Sequence, residues 1–100
     1  MNFSFHPEAE AELFGAADWY EAQEPGLGRV FALEVTAAVL RILDFPDAWP
    51  VLDGEIRRCL VHRFPFGVLY AVENGEVFVV AVMHLHREPG YWRDRRGEGD

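Results

Sequence analysis

The stretch Gly67-Val68-Leu69-Tyr70-Ala71-Val72-Glu73-Asn74-Gly75-Glu76-Val77-Phe78-Val79-Val80-Ala81-Val82-Met83-His84 decides the fold. Two runs rich in β-branched and aromatic residues are separated by Asn74-Gly75 alone. Both residues accept the positive φ of a type I′ turn, the strongest short-range signal for a β-hairpin. The run Val77–Met83 is apolar on both faces, as a central strand covered by helices requires. Pro89-Gly90 ends it. The three strand candidates of this half are Ile56–Phe64, Gly67–Glu73 and Glu76–His86, with Pro65-Phe66-Gly67 turning between the first two.

Upstream the period changes. Residues 45–54 contain Pro46, Pro50 and Gly54 and read as an irregular connector packed through Trp49. Before it, Phe31, Val35, Ala38, Val39 and Ile42 recur at helical spacing over residues 28–43. A first helix starts at His6-Pro7, because proline suits the first helical position and Glu8, Glu10 and Glu12 suit the positive end of the helix dipole. Its apolar stripe is Ala9, Leu13, Ala16, Ala17 and Tyr20. Pro25-Gly26 and Gly28 make a short link, so the helices form an antiparallel hairpin. Residues 1–5 alternate, with Phe3 and Phe5 on one side of a short first strand. The resulting order is β-α-α-β-β-β. It predicts an α+β fold with an N-terminal strand and a helical hairpin packed on a twisted, mostly antiparallel four-stranded sheet. Residues 1–100 form one domain, with a polar tail disordered from about residue 94.

Composition narrows the classes. Half of the 100 residues are apolar and 14% are aromatic, which supports a packed core. No apolar run approaches the roughly 18 residues that span a membrane. The N-terminal residues show no basic segment followed by an apolar stretch, so no secretion signal is expected. Cys59 is alone, which excludes a disulfide framework and suits a cytoplasmic protein. Such a cysteine in a strand is expected as a small buried residue rather than a nucleophile. The net charge of −8 argues against a general nucleic-acid binder. Nine acids and two bases lie in residues 1–50, eight acids and seven bases in residues 51–100. Every base is arginine, the side chain suited to bidentate contact with carboxylate or phosphate.

Several motifs in this order resemble the RelE/ParE toxin superfamily on its ParE side. They are His6-Pro7-Glu8-Ala9-Glu10-Ala11-Glu12-Leu13, Trp19-Tyr20-Glu21, Pro25-Gly26-Leu27-Gly28, Arg57-Arg58, Arg63-Phe64-Pro65-Phe66-Gly67-Val68-Leu69-Tyr70, and Ala81-Val82-Met83-His84 with Arg87, Pro89 and Trp92. The resemblance covers about residues 3–93. It implies the toxin of a type II toxin–antitoxin pair, held inactive in a hetero-oligomer with its cognate antitoxin. ParE-like members inhibit DNA gyrase, whereas RelE-like members cut mRNA on the ribosome, and some relatives have no known toxicity.

Metal-free RNA cleavage needs a base, a cation at the phosphorane and an acid for the leaving oxygen. The catalytic candidates for that chemistry are His84, Arg87, His62 and Arg63. If residues 76–86 are one regular strand, Phe78, Val80, Val82, His84 and His86 share a face. Likewise Arg58 and His62 would share one face of their strand, with Arg57, Cys59 and Arg63 on the other. The competing reading of His84 is a hydrogen-bonding role within the fold. Arg57 and Arg58 have their own alternative, ion pairs with helix acids such as Glu12 or Asp18. His84 and His86 are two potential metal ligands without a third, so neither metal nor cofactor is expected. The resemblance favours a binding protein over a nuclease, since RNA-cleaving relatives are usually basic and this chain has no lysine. The expected contact surface for antitoxin or target comprises Arg57, Arg58, Arg63, Arg87 and Trp92.

Overall fold

The computed structural model describes residues 1–96. Its elements are β1 (Phe3–Phe5), α1 (Pro7–Gln23), α2 (Leu27–Asp44), β2 (Val51–Asp53), β3 (Ile56–Leu60), β4 (Phe66–Glu73), β5 (Glu76–His84) and a 3-10 turn, Arg93–Arg96. The α+β class and the N-terminal strand with its helical hairpin are as the sequence predicts. The sheet has five strands rather than four, in the order β1-β5-β4-β3-β2. β1 runs parallel to β5 and every other pair is antiparallel. The additional strand is β2, which pairs back on β3 through Gly54 (φ 58°) within the expected connector. Three residues between Pro50 and Gly54 are too few to show a period.

Local chemistry sets the helix ends. The His6 imidazole Nδ1 accepts the Glu8 N–H at 3.0 Å, capping α1. At the link, the Glu21 carboxylate accepts the N–H groups of Gly26 (2.9 Å) and Gly28 (3.1 Å) and so serves the open N-terminus of α2. Gly28 lets the two helices touch, because a Cβ there would lie 2.5 Å from the Ala17 carbonyl oxygen. Asn74 and Gly75 take φ of 53° and 75°, the left-handed pair expected of the tight hairpin.

Both faces of the sheet are covered. Under the helices lie Ala9, Phe31, Val35, Ala38, Val39 and Ile42 against Cys59, Val68, Tyr70, Val77, Val79 and Val82. On the other face Ile56, Leu69, Ala71, Val80, Ala81 and Met83 pack under Trp92, with Tyr91 and Phe78 beside them. The expected disorder from residue 94 is therefore corrected over residues 94–96: the segment is folded, and Arg95 is buried. Residues 97–100 lie outside the described residues.

A β-bulge separates the two halves of β5. Leu69 lies opposite Ala81 while Tyr70 lies opposite Val79, leaving Val80 without a facing residue. One extra residue inverts the alternation. Val77 and Val79 face the helices before the bulge and Val82 after it, whereas Phe78, Val80, Ala81 and Met83 take the opposite face. The expectation that Phe78 and Val80 share a face with Val82 and His84 is corrected accordingly. β3 also stops at Leu60 rather than Phe64, with a turn at Arg63 (φ 72°). β5 stops at His84 rather than His86.

Candidate functional site

Arg58 leaves β3 on the face away from the helices, and its aliphatic stem crosses Gly67 of the neighbouring strand. A Cβ at Gly67 would sit 3.0 Å from Cγ and Cδ of Arg58, so this glycine makes room for the arginine. Beside the stem opens a cleft of about 230 Å³. Its floor is apolar, with Met83, Leu52, Leu85 and Trp92, and its rim carries Arg58, Arg87 and Arg93. Arg93 is engaged with Asp53 at 2.7 Å. Arg87 lies over the Tyr91 ring, 3.9 Å from its centroid. Among the described residues, the Arg58 and Arg87 guanidinium groups have no hydrogen-bond or ion-pair partner. The arrangement suits a carboxylate flanked by an apolar group: two bidentate donors stand above a surface that water wets poorly.

The wall of the cleft is held from behind. The Tyr91 hydroxyl donates to Glu12 at 2.6 Å, and the Arg95 guanidinium donates to the same carboxylate at 2.8 and 3.2 Å. Burial and the Glu12 hydrogen bond push the Tyr91 phenol well above its ordinary range. Burial works against the Arg95 cation, but the hydrogen bond and charge of Glu12 outweigh it and raise its pKa. Trp92, 4% exposed, serves as floor rather than as an open stacking platform.

The remaining expected site residues lie elsewhere. Arg57 donates to the carbonyls of Asp47 (3.1 Å) and Trp49 (2.7 Å), pinning the connector, and the alternative of a pairing with a helix acid does not occur. Glu12, one of the acids considered for that pairing, is taken by Arg95. Arg63 stands 3.9 Å from Glu34 of α2. His62 lines a second cleft with Arg41, Trp49, Leu60 and Arg58. His84 lies on the helix side, its ring 5.1 Å from that of Phe66, and its Nδ1 accepts the His86 N–H at 3.1 Å. It borders an apolar groove of about 480 Å³ with Trp19, Tyr20 and Pro65. His84 and His86 do lie side by side, with ring centroids 5.1 Å apart. The structure thus joins Arg58, Arg87 and Trp92 at one cleft and Arg58 with His62 at a second, and leaves Arg57, Arg63 and His84 at separate places.

Cys59 is fully buried, and burial pushes its thiol pKa up against the opposing charge of Arg41, as befits a packing residue. Sequence reasoning did not join Glu12, Tyr91 and Arg95 into one network, nor place Arg93 at the cleft. The usable signal was Glu12 itself, an acid three residues after Ala9 and four before Ala16 on a buried stripe, which demands a partner.

The chain is a small α+β domain with a helical hairpin on one sheet face and an arginine-rimmed cleft on the other. The sequence comparison makes this specific: residues 3–89 match the family described as ParE toxin of type II toxin-antitoxin system, parDE. The chain belongs to that family. Among solved structures it is similar to a chain of the chromosomal ParDE toxin–antitoxin system from P. aeruginosa. The two share a TM-score of 0.60 at 18% identity, over 84% of this chain and 95% of the other, a likeness of fold. No curated protein matches the chain significantly.

Proposed function

We propose that this chain is a cytoplasmic toxin that its cognate antitoxin neutralises in a hetero-oligomer, and that it arrests growth by binding DNA gyrase rather than by cutting mRNA. Membership of the ParE family supports the toxin role, including a part in plasmid stabilisation. The observation that carries the choice of mechanism is the dispersal of His62, Arg63, His84 and Arg87. His84 faces the helices and Arg87 the opposite side, over Tyr91. Acid, base and phosphate-binding cation must reach one phosphodiester together, and these four do not converge. An acidic segment of the antitoxin with an apolar neighbour is the proposed occupant of the Arg58–Arg87 cleft, with Trp92 beneath it. Arg57, bonded to the connector carbonyls, and Arg63, paired with Glu34 of α2, lie outside that cleft and contribute less to this contact.

The experiment is induction of the chain alone with pulse labelling of DNA, RNA and protein synthesis, followed by a gyrase supercoiling assay. DNA synthesis failing first, with intact mRNA and inhibited supercoiling, supports this reading. Early translation arrest with cut mRNA overturns it in favour of a ribosome-dependent endoribonuclease. Unimpaired growth would make the chain a non-toxic antitoxin-binding relative.

A further inference from the structure

The outward side of α2 carries a surface that neither the core nor the cleft uses. Arg29, Leu33, Thr36, Ala37, Leu40 and Asp44 form one stripe at helical spacing, opposite the core stripe of Phe31, Val35, Ala38, Val39 and Ile42. Leu33 and Leu40 are 54% and 55% exposed. Thr36 donates its hydroxyl to the Ala32 carbonyl at 2.9 Å, which leaves its methyl group to face outward. A cleft of about 230 Å³ bordered by Phe3, Leu13, Thr36 and Leu40 extends the apolar surface.

The stripe is its own complement. Arg29 and Asp44 are equidistant from the point between Thr36 and Ala37, as are Leu33 and Leu40. Set antiparallel on a second copy about a twofold axis, Leu33 meets the partner's Leu40, Thr36 the partner's Ala37 and Arg29 the partner's Asp44. A second observation points the same way. Arg29 stands in the first turn of α2 and Asp44 at its last residue, each at the end where the helix dipole disfavours its charge. Neither has an ion-pair partner among the described residues. An antiparallel copy supplies both missing countercharges.

We propose that a second copy of this chain docks antiparallel on the α2 stripe, forming an isologous dimer. α2 has 18 residues, about 27 Å of helix, so one helix pair buries less than the roughly 800 Å² per partner of a standard interface. The dimer is accordingly weak, forming in the micromolar range.

Sedimentation velocity of the full chain, from micromolar to millimolar concentration, tests this. Wild type is expected to pass from monomer to dimer. Arg29→Asp and Asp44→Arg should each weaken association about tenfold, and the double exchange should restore it. Thr36→Cys, close to the axis, should form a disulfide-linked dimer on mild oxidation, since the only native cysteine is buried. A wild type that stays monomeric throughout overturns the proposal, including one whose stripe becomes protected only when an antitoxin helix covers it. A double exchange as weak as the single variants, all of native melting temperature, overturns it as well.

Discussion

Glu12 and Arg95 lie 83 residues apart in sequence and meet at 2.8 Å across the β5 bulge. The pair does more than neutralise itself. Glu12 also accepts the Val82 N–H at 3.0 Å, and Arg95 donates to the Val80 carbonyl at 3.1 Å. Val80 is the extra residue of the bulge, and Val82 lies two residues beyond it. The ion pair thus satisfies the backbone that the bulge turns outward, and it fastens α1 to the C-terminal segment over the second core.

Removing one member should therefore cost far more than a surface pair does. Glu12→Ala leaves the mostly buried Arg95 cation, the Tyr91 hydroxyl and the Val82 N–H without their shared acceptor. Loss of a single partner of a buried pair costs about 3–5 kcal/mol. At about 4–8 °C per kcal/mol in a domain of this size, the melting temperature should fall by more than about 12 °C. Thermal unfolding followed by circular dichroism measures it. Arg95→Ala should behave alike, and the double variant should lose clearly less than the sum of the two. Strict additivity would show that the groups do not act together.

The tyrosines give stability a specific alkaline limit. Burial pushes the Tyr70 phenol up to about 12, and burial also raises Tyr20 and Tyr91. In the unfolded chain all three ionise near their ordinary value of about 10. A group whose folded pKa is raised contributes stability that is complete below the unfolded pKa and is lost as pH rises through the folded one. Denaturant midpoints should hold steady up to about pH 9 and decline from about pH 10 upward. Tyrosinate absorbance in the native protein should lag behind that of the denatured chain. Coincident titration curves would contradict the buried setting of Tyr70, whose hydroxyl donates to the Pro46 carbonyl.

Much of this fold was legible where a period runs long enough to be read. The α2 stripe, the Asn74-Gly75 hairpin and the His6-Pro7 helix start all behave as their local chemistry dictates. β2 was not legible, because three residues between breakers carry no period. The facing of β5 was not legible for a different reason. An all-apolar run gives no sign of where an extra residue is inserted, so the bulge at Val80 reversed the faces assigned beyond it. The tail was misread because Arg93, Arg95 and Arg96 look like solvated charge. Each in fact has an acid waiting: Asp53, Glu12, and Glu55 with Glu73. All four acids are distant in sequence, and composition does not reveal such pairs. For the candidate site, the arginine-rich half of the chain supplies the candidates, but only the geometry separates the unpaired Arg58 and Arg87 from the engaged Arg57 and Arg63.

The cleft makes a prediction about partner binding that is separable from folding. Arg58→Glu with Arg87→Glu should leave the unfolding free energy within about 1 kcal/mol of native, since surface changes away from buried networks cost little. The same pair should weaken antitoxin binding by more than about tenfold through like-charge repulsion with an acidic segment. Gly67→Val, which pushes on the Arg58 stem, should weaken binding as well without a change of charge. Titration calorimetry against the antitoxin reads both. Native affinity in the double charge reversal would remove this cleft from the interface.

His84 decides between the two proposed mechanisms most economically. Its Nδ1 is occupied by the His86 N–H, and its ring rests on Phe66 beside the helices, on the other side of the sheet from Arg87. A concerted cleavage would need it within hydrogen-bond reach of the same ribose and phosphate that Arg87 holds. His84→Gln preserves much of the side-chain volume and a hydrogen-bond acceptor, so the fold should survive. Growth arrest should then persist undiminished, and His62→Ala, in a different cleft, should be equally silent. If arrest vanished in His84→Gln at native melting temperature and full antitoxin affinity, His84 would belong to the toxic chemistry. The binding-only mechanism would then be wrong.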